Sequence, residues 1–227
     1  MEIYRSKGGQ AMGKIILDLC GGTGSWSKPY SDRGYSVHII TLPKYDLFAT
    51  YCEDGFIYFK DVDGNVLQIP ANKVYGILAA PTCTMFSLAR STAKTPRDLE
   101  SGMRLVKKCL EIIWYCKTTP DSELKFWALE NPLGLLRWFL GRPLFTFSPD
   151  EYGENYTKKT DIWGYFNIPK KKPYKLSDNE KLLSSRNNRV LPELPDGYIV
   201  PQGWRRQAAR RSMTSPKFAE AFYRVNK

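Results

Sequence analysis

With 227 residues, 42% of them hydrophobic and 25% charged, the chain has material for one sizeable α/β core and too little for two. No apolar run approaches the ~20 residues of a membrane-spanning helix, and the opening MEIYRSKGGQAMGK lacks the apolar stretch of a secretory signal, so a cytoplasmic protein with no membrane partner is expected. The net charge of +11 is uneven: residues 1–155 hold 18 Lys/Arg against 17 Asp/Glu, whereas residues 156–227 hold 16 against 6. A basic C-terminal third suits a polyanion, because each neutralised phosphate releases counterions; a solvated basic face is the plainer alternative.

In chain order, residues 14–19 (KIILDL) form an apolar run followed by GGTG, which predicts a buried strand, a tight turn and a helix. A second strand is expected over 35–40. Residues 56–60 and 65–69 flank Asp63-Gly64, the signature of a hairpin, here read as an insertion. Residues 74–80 predict another buried strand, ending at Pro81. Thr95 is placed to cap a long helix, with Pro96 at its first position and Asp98 three residues on, running to about Cys116. Then come a strand over 126–129, a short amphipathic helix stopped by Gly141, and a strand over 144–147. Residues 168–196 are polar, Pro-containing and irregular. The alternation predicts a doubly wound, mostly parallel sheet. Residues 1–166 form its core and 167–203 a loop-rich basic insertion, while the return of 204–227 to the core is implied only by the resemblance set out below.

Open α/β sheets bind ligands at the carboxyl ends of their strands. Three segments fall there: 18–24, 81–87 and 130–132. In DLCGGTG the glycines let a ligand approach the backbone, beside a helix N-terminus that favours a carboxylate. Ser27 stands where the third glycine of G-x-G-x-x-G would be, which disfavours a nicotinamide cofactor and suits a nucleoside carrying an amino acid; a turn without a ligand is the plainer reading. Cys83 follows a strand in a loop where a thiol can be exposed, and helix amides or Arg90 can lower its pKa. Cys20, Cys109 and Cys116 are expected to be buried and inert. Five cysteines without a C-x-x-C pair and a single histidine, His38, support neither disulfides nor a metal site. Glu130 delivers a carboxyl to the same sheet edge, or serves only as an acid before the next helix. Together a thiol and a carboxyl supply what substitution at C5 of cytosine requires. Thiolate attack at C6, with a proton or hydrogen bond at N3, turns C5 into a nucleophilic enamine carbon.

The ordered set ILDLCGGTGSWS, APTCTMFSLAR, ALENP, YGENYTKKTDIWGYF and RRSMTSPKFAEAF resembles the cytosine-C5 DNA methyltransferases, more closely their short phage-type members. The resemblance runs from about residue 14 to residue 225. It implies a Rossmann-like methyltransferase fold, S-adenosyl-L-methionine as cofactor, and double-stranded DNA whose target cytosine is flipped out. By that resemblance Asp18, Leu19, Cys20, Gly21, Gly22, Thr23, Gly24, Ser25, Trp26, Thr41, Asp46 and Pro81 line the cofactor. Cys83 attacks C6, Glu130 with Asn131 engages N3, and Lys158 or Lys159 lies near the base. Ser87, Arg90, Lys170, Lys171, Lys172, Arg205, Arg206, Arg210 and Arg211 meet the nucleic acid. Departures from the family pattern are Cys20 for a phenylalanine, Thr82 for the first residue of a Pro-Cys pair, Thr41 for an acid, with Asp46 as its distant substitute, and Lys158-Lys159-Thr160 for Arg-x-Arg. The large target-recognition domain is reduced to residues 167–203. A catalytically decayed nucleic-acid-binding relative, and a C5 methyltransferase acting on RNA or a free nucleotide, remain open.

Overall fold

A computed structural model describes residues 13–88, 90, 93–178, 180–185, 187, 190–200 and 203–227. Most of the opening segment read for a secretory signal, residues 1–12, lies outside them. The strand β1 (Ile15–Leu19) is buried along its whole length, as expected of an apolar run covered on both faces. Its side chains alternate. Leu17 and Leu19 join one core with Val106, Cys109, Ile112 and Cys116 of helix α2 (Leu99–Thr118). Ile16 joins a second core with Tyr30 of the short helix α1 (Lys28–Ser31) and with Phe218 and Phe222 of the C-terminal helix α5 (Pro216–Val225).

With β2 (Ser36–Ile40), β6 (Val74–Ala79), β7 (Phe126–Pro132), β8 (Phe145–Phe147) and β10 (Thr160–Tyr165), β1 forms one six-stranded sheet in the order β2-β1-β6-β7-β10-β8. The first four strands are parallel, and β10 runs antiparallel to β7 and β8. The sheet is α/β and mostly parallel, with helices on both faces. A separate antiparallel sheet of β3 (Tyr51–Glu53), β4 (Phe56–Lys60) and β5 (Val66–Pro70) is the expected hairpin with one further strand. It packs Ile57, Phe59 and Ile69 into the α2 core. The described residues between 168 and 200 carry little regular structure beyond β11 (Leu183–Ser184), which pairs with β9 (Tyr156–Thr157). Helix α4 (Arg206–Ser212) then leads into α5.

Several boundaries differ from the sequence reading. Helix α2 is capped by Asp98, whose carboxylate accepts from the Ser101 amide at 2.9 Å, and not by Thr95. The Thr95 hydroxyl is engaged instead by Arg90 at 2.6 Å. Strand β7 extends to Pro132 because β10 pairs along it as far as Thr160 opposite Pro132. Helix α3 is only Arg137–Leu140 and buries none of its four residues, with Trp138 85% exposed, so it is not the amphipathic helix expected. The preceding leucines are drawn out of helical geometry: the Leu133 amide donates to the Lys159 carbonyl and the Leu135 amide to that of Phe86, both at 2.9 Å. No helix among the described residues is long and apolar enough to cross a membrane.

Candidate active site

The three segments singled out in the sequence meet at the carboxyl edge of β1, β6 and β7. After β1 the chain turns through Cys20, Gly22 and Gly24, all at positive φ (59°, 55° and 69°). Glycine is needed here for different reasons. A Cβ on Gly21 would overlap the Asp18 carboxyl, and one on Gly24 would lie 2.5 Å from Ile39. At Gly22 it would project into open space with nothing within 4 Å, so there the glycine serves the positive φ of the turn. Cys20 adopts the same left-handed geometry without that freedom, and it is half-buried rather than fully buried as expected; Cys109 and Cys116 are buried.

Asp18 lies wholly inside the protein beneath this turn. One carboxyl oxygen accepts from the Ser27 hydroxyl at 2.5 Å, and the other has no partner among the described residues. Burial pushes its pKa up to about 7, opposed by the Ser27 hydrogen bonds and reinforced by the charge of Glu130. Thr23 Oγ1 and Trp26 Nε1, in the same turn, are also buried without partners.

Following β6, the carbonyl of Cys83 accepts from the amides of Phe86 (3.0 Å) and Ser87 (2.8 Å), which folds the loop back on itself. Arg97 holds it there by donating to the carbonyls of Met85 and Ser87 at 2.7 and 2.9 Å. The side chain of Asn131 donates to the Pro81 carbonyl at 2.9 Å, tying the Glu-Asn-Pro strand end directly to the Pro-Thr-Cys loop. Glu130 is buried, and its Oε2 has no partner among the described residues. Burial raises the Glu130 pKa against the favourable charge of Lys158. The half-buried Cys83 thiol is likewise raised by burial, lowered by Lys158 and raised again by Glu130. The charge of Lys158 therefore favours the ionised forms of both Cys83 and Glu130 at one edge of the sheet.

Lys158 occupies the two-residue link between β9 and β10. Its amide donates to Ser148 Oγ (3.1 Å) and its ammonium to the Met213 carbonyl (3.3 Å). Lys159 is exposed, so of the two lysines only Lys158 faces the site. The C-terminal segment closes the arrangement: the Thr214 amide donates to Ser25 Oγ at 3.0 Å, and Phe218 stacks on Phe147 at 3.6 Å and packs near Trp26. Glu130, Lys158, Trp26, Thr160, Thr214 and Phe218 line a narrow cavity of about 10 Å³, room for roughly one water.

Other expected site residues are used elsewhere. Leu19 is core, its side chain packed on the α2 face and away from the turn's opening. Arg90 donates to Thr95 and Pro96, so it is not the cation beside the thiol; that is Lys158. The Asp46 carboxylate caps a single 3-10 turn by accepting from the Phe48 amide at 2.9 Å through one oxygen, and the residue is exposed. Thr41, half-buried, directly follows β2 and takes the Tyr45 amide on its carbonyl. Arg210 is turned inward to Glu193 and to the carbonyls of Leu191 and Pro192. Lys171 pairs with Glu151 at 2.6 Å. Lys170, Lys172, Arg205, Arg206 and Arg211 are at the surface. Thr214, Ser215, Phe218 and Phe147 were not singled out in the sequence as site residues. Ser215-Pro216 is legible as a helix start, but nothing local says that this start docks on the glycine turn. Scans against protein-family models and against curated proteins find no match.

Proposed function

We propose that the chain is an S-adenosylmethionine-dependent methyltransferase of the cytosine-C5 kind, acting on DNA. The observation that carries this reading is the hydrogen bond from Asn131 to the Pro81 carbonyl, which holds the strand end bearing Glu130 against the loop bearing Cys83, with Glu130 and Lys158 lining one cavity. The residues present fit the cofactor: unpartnered Asp18 Oδ1, Thr23 Oγ1 and Trp26 Nε1 offer it acceptors and a donor. Thr41, following β2, would stand beside its sugar. When bound, S-adenosylmethionine supplies a methyl group made electrophilic by a positively charged sulfur.

The protein's own groups prepare the base. Cys83 adds to C6 as the thiolate, which Lys158 favours and burial opposes. Glu130, whose pKa burial raises against the charge of Lys158, is the group placed to donate at N3, so that electron density from the new bond collects at C5. Once C5 is substituted, loss of its proton regenerates the double bond and expels the Cys83 sulfur. Asn131 holds the strand end against the loop that carries the nucleophile. Surface cations at Lys170, Arg205 and Arg206 serve the phosphate backbone.

A catalytically silent nucleic-acid-binding relative is the second reading, favoured by the tightness of the cavity. Incubation with labelled S-adenosylmethionine and, separately, duplex DNA, transfer RNA and deoxycytidine monophosphate distinguishes the readings. Label on duplex DNA from the wild type and none from Cys83→Ser supports the proposal. Equal label from both removes Cys83 from the mechanism, label confined to the mononucleotide overturns the DNA assignment, and no label on any substrate favours the silent relative.

A further inference from the structure

Two thiols that take no step in the chemistry above meet where the glycine turn joins the core. Leu19, the last residue of β1, faces α2, so an extended chain would point the next side chain to the opposite face of the sheet. The backbone instead turns left-handed at Cys20, with φ 59°, a conformation that residues with a Cβ rarely adopt. The Cys20 side chain thereby stays on the α2 side, packed against the core that contains Leu19 and Cys109. There the Cys109 thiol donates a hydrogen bond to the Cys20 sulfur. That bond and burial hold the Cys109 pKa well above the ordinary thiol range, so Cys109 keeps its proton. The two sulfurs differ in access. Cys109 is wholly buried and Cys20 only half-buried, so a reagent arriving from solvent meets Cys20 first. Two turns further along α2, the buried Cys116 feels the charge of the half-buried Cys52, a second couple on the same helix.

We propose that Cys20 and Cys109 are a redox pair that hydrogen peroxide converts to a disulfide, tying the glycine turn covalently to α2. The Cys20 sulfur attacks one peroxide oxygen, the O–O bond breaks, and the products are a sulfenic acid on Cys20 and one water. The Cys109 sulfur then attacks the sulfenic sulfur. The S–S bond forms as the S–O bond breaks, and the hydroxide that leaves takes the Cys109 proton as a second water. Two thiols are thus oxidised by two electrons and one peroxide is reduced. Because the hydrogen bond already sets the second sulfur beside the first, the sulfenic acid is consumed before more peroxide carries it to the irreversible sulfinic acid. A thiol reductant restores both groups. The inference stands independently of the methyl-donor reading.

Peptide mapping of the full-length protein tests this. The folded chain is treated with hydrogen peroxide, remaining thiols are blocked with iodoacetamide, and the digest is made without reductant for mass spectrometry. The expected product joins the peptide bearing Cys20 to the peptide bearing Cys109, two hydrogens lighter than their sum, and dithiothreitol releases it. Dimedone present during oxidation, which traps sulfenic acid, is expected to label Cys20 weakly in the wild type and severalfold more in Cys109→Ala, where the resolving sulfur is gone. Thermal melting confirms that the variant folds; if it does not, the wild-type map decides alone. Equal dimedone labelling of the wild type and the folded variant overturns the pairing. So does a wild-type map in which Cys20 is unmodified, stops at a sulfinic acid, or is joined to any cysteine other than Cys109.

Discussion

Lys158 is the residue whose charge reaches both groups proposed to react, and its removal separates electrostatic from steric contributions. Lys158→Met keeps the apolar stem and deletes the ammonium. The Cys83 thiol, already raised by burial, then rises further, and the pH profile of its alkylation by iodoacetamide shifts to higher pH because its counter-charge is gone. An unchanged profile would show that the two charges do not couple. Asp18 makes a second prediction. Its pKa is raised on folding from 3.8 to about 7, so between those values the native state binds more protons than the unfolded state. Stability from this group is fully present below about pH 4 and is lost as pH climbs towards 7. Asp18→Asn should therefore match wild-type stability near pH 4 and exceed it near pH 8 by on the order of a few kcal/mol, at about 1.4 kcal/mol per pKa unit. Denaturant melts at the two pH values provide the check. At this scale the sequence was partly legible. Cys83 and Glu130 could be picked out because they end strands. Choosing Lys158 over Lys159, and over Arg90, depended on which way a two-residue link and an irregular loop turn their side chains, and no local pattern encodes that.

Among the elements, parallel strands declared themselves through unbroken apolar runs, and the hairpin through Asp63-Gly64. The strand expected over 144–147 is β8, whereas the helix expected after Pro132 failed, because distant pairing overrides local propensity there. The leucines after Pro132 have helical spacing, yet the carbonyls of Phe86 and Lys159 claim their amides. Polar bracing holds this corner. Arg137 donates through Nε and Nη2 to the two oxygens of Asp161, each at 2.6 Å, and Thr146 adds a third bond at 2.7 Å. Asp161 is wholly buried, whereas its partner is partly exposed. Arg137→Ala strands a buried carboxylate and should cost roughly 3 kcal/mol, the lower end for breaking a buried pair. Because Asp161 lies opposite Asn131 across the β10–β7 pairing, methyl transfer should fall with stability in this variant. A chemical-denaturation midpoint equal to wild type would show that solvent compensates for the missing guanidinium.

For the molecule as a whole, the uneven charge predicts how binding responds to salt. Replacing Lys170, Arg205 and Arg206 together by alanine should flatten the plot of log affinity for duplex DNA against log salt by about 0.9 for each phosphate that is no longer neutralised. Arg210→Ala should leave that slope intact and lower thermal stability instead, because its guanidinium is spent on Glu193 and two carbonyls. Equal slopes for the wild type and the triple variant would place the DNA on another face. The alternation of strands made the fold class legible, whereas the return of the last helix to the first turn was carried only by a likeness of motif. The bond from Thr214 to Ser25 spans 189 positions along the chain. The glycine turn is therefore synthesised well before the residue that closes over it, and such a distant closure is slow to find, so the turn exists long before the contact that covers it.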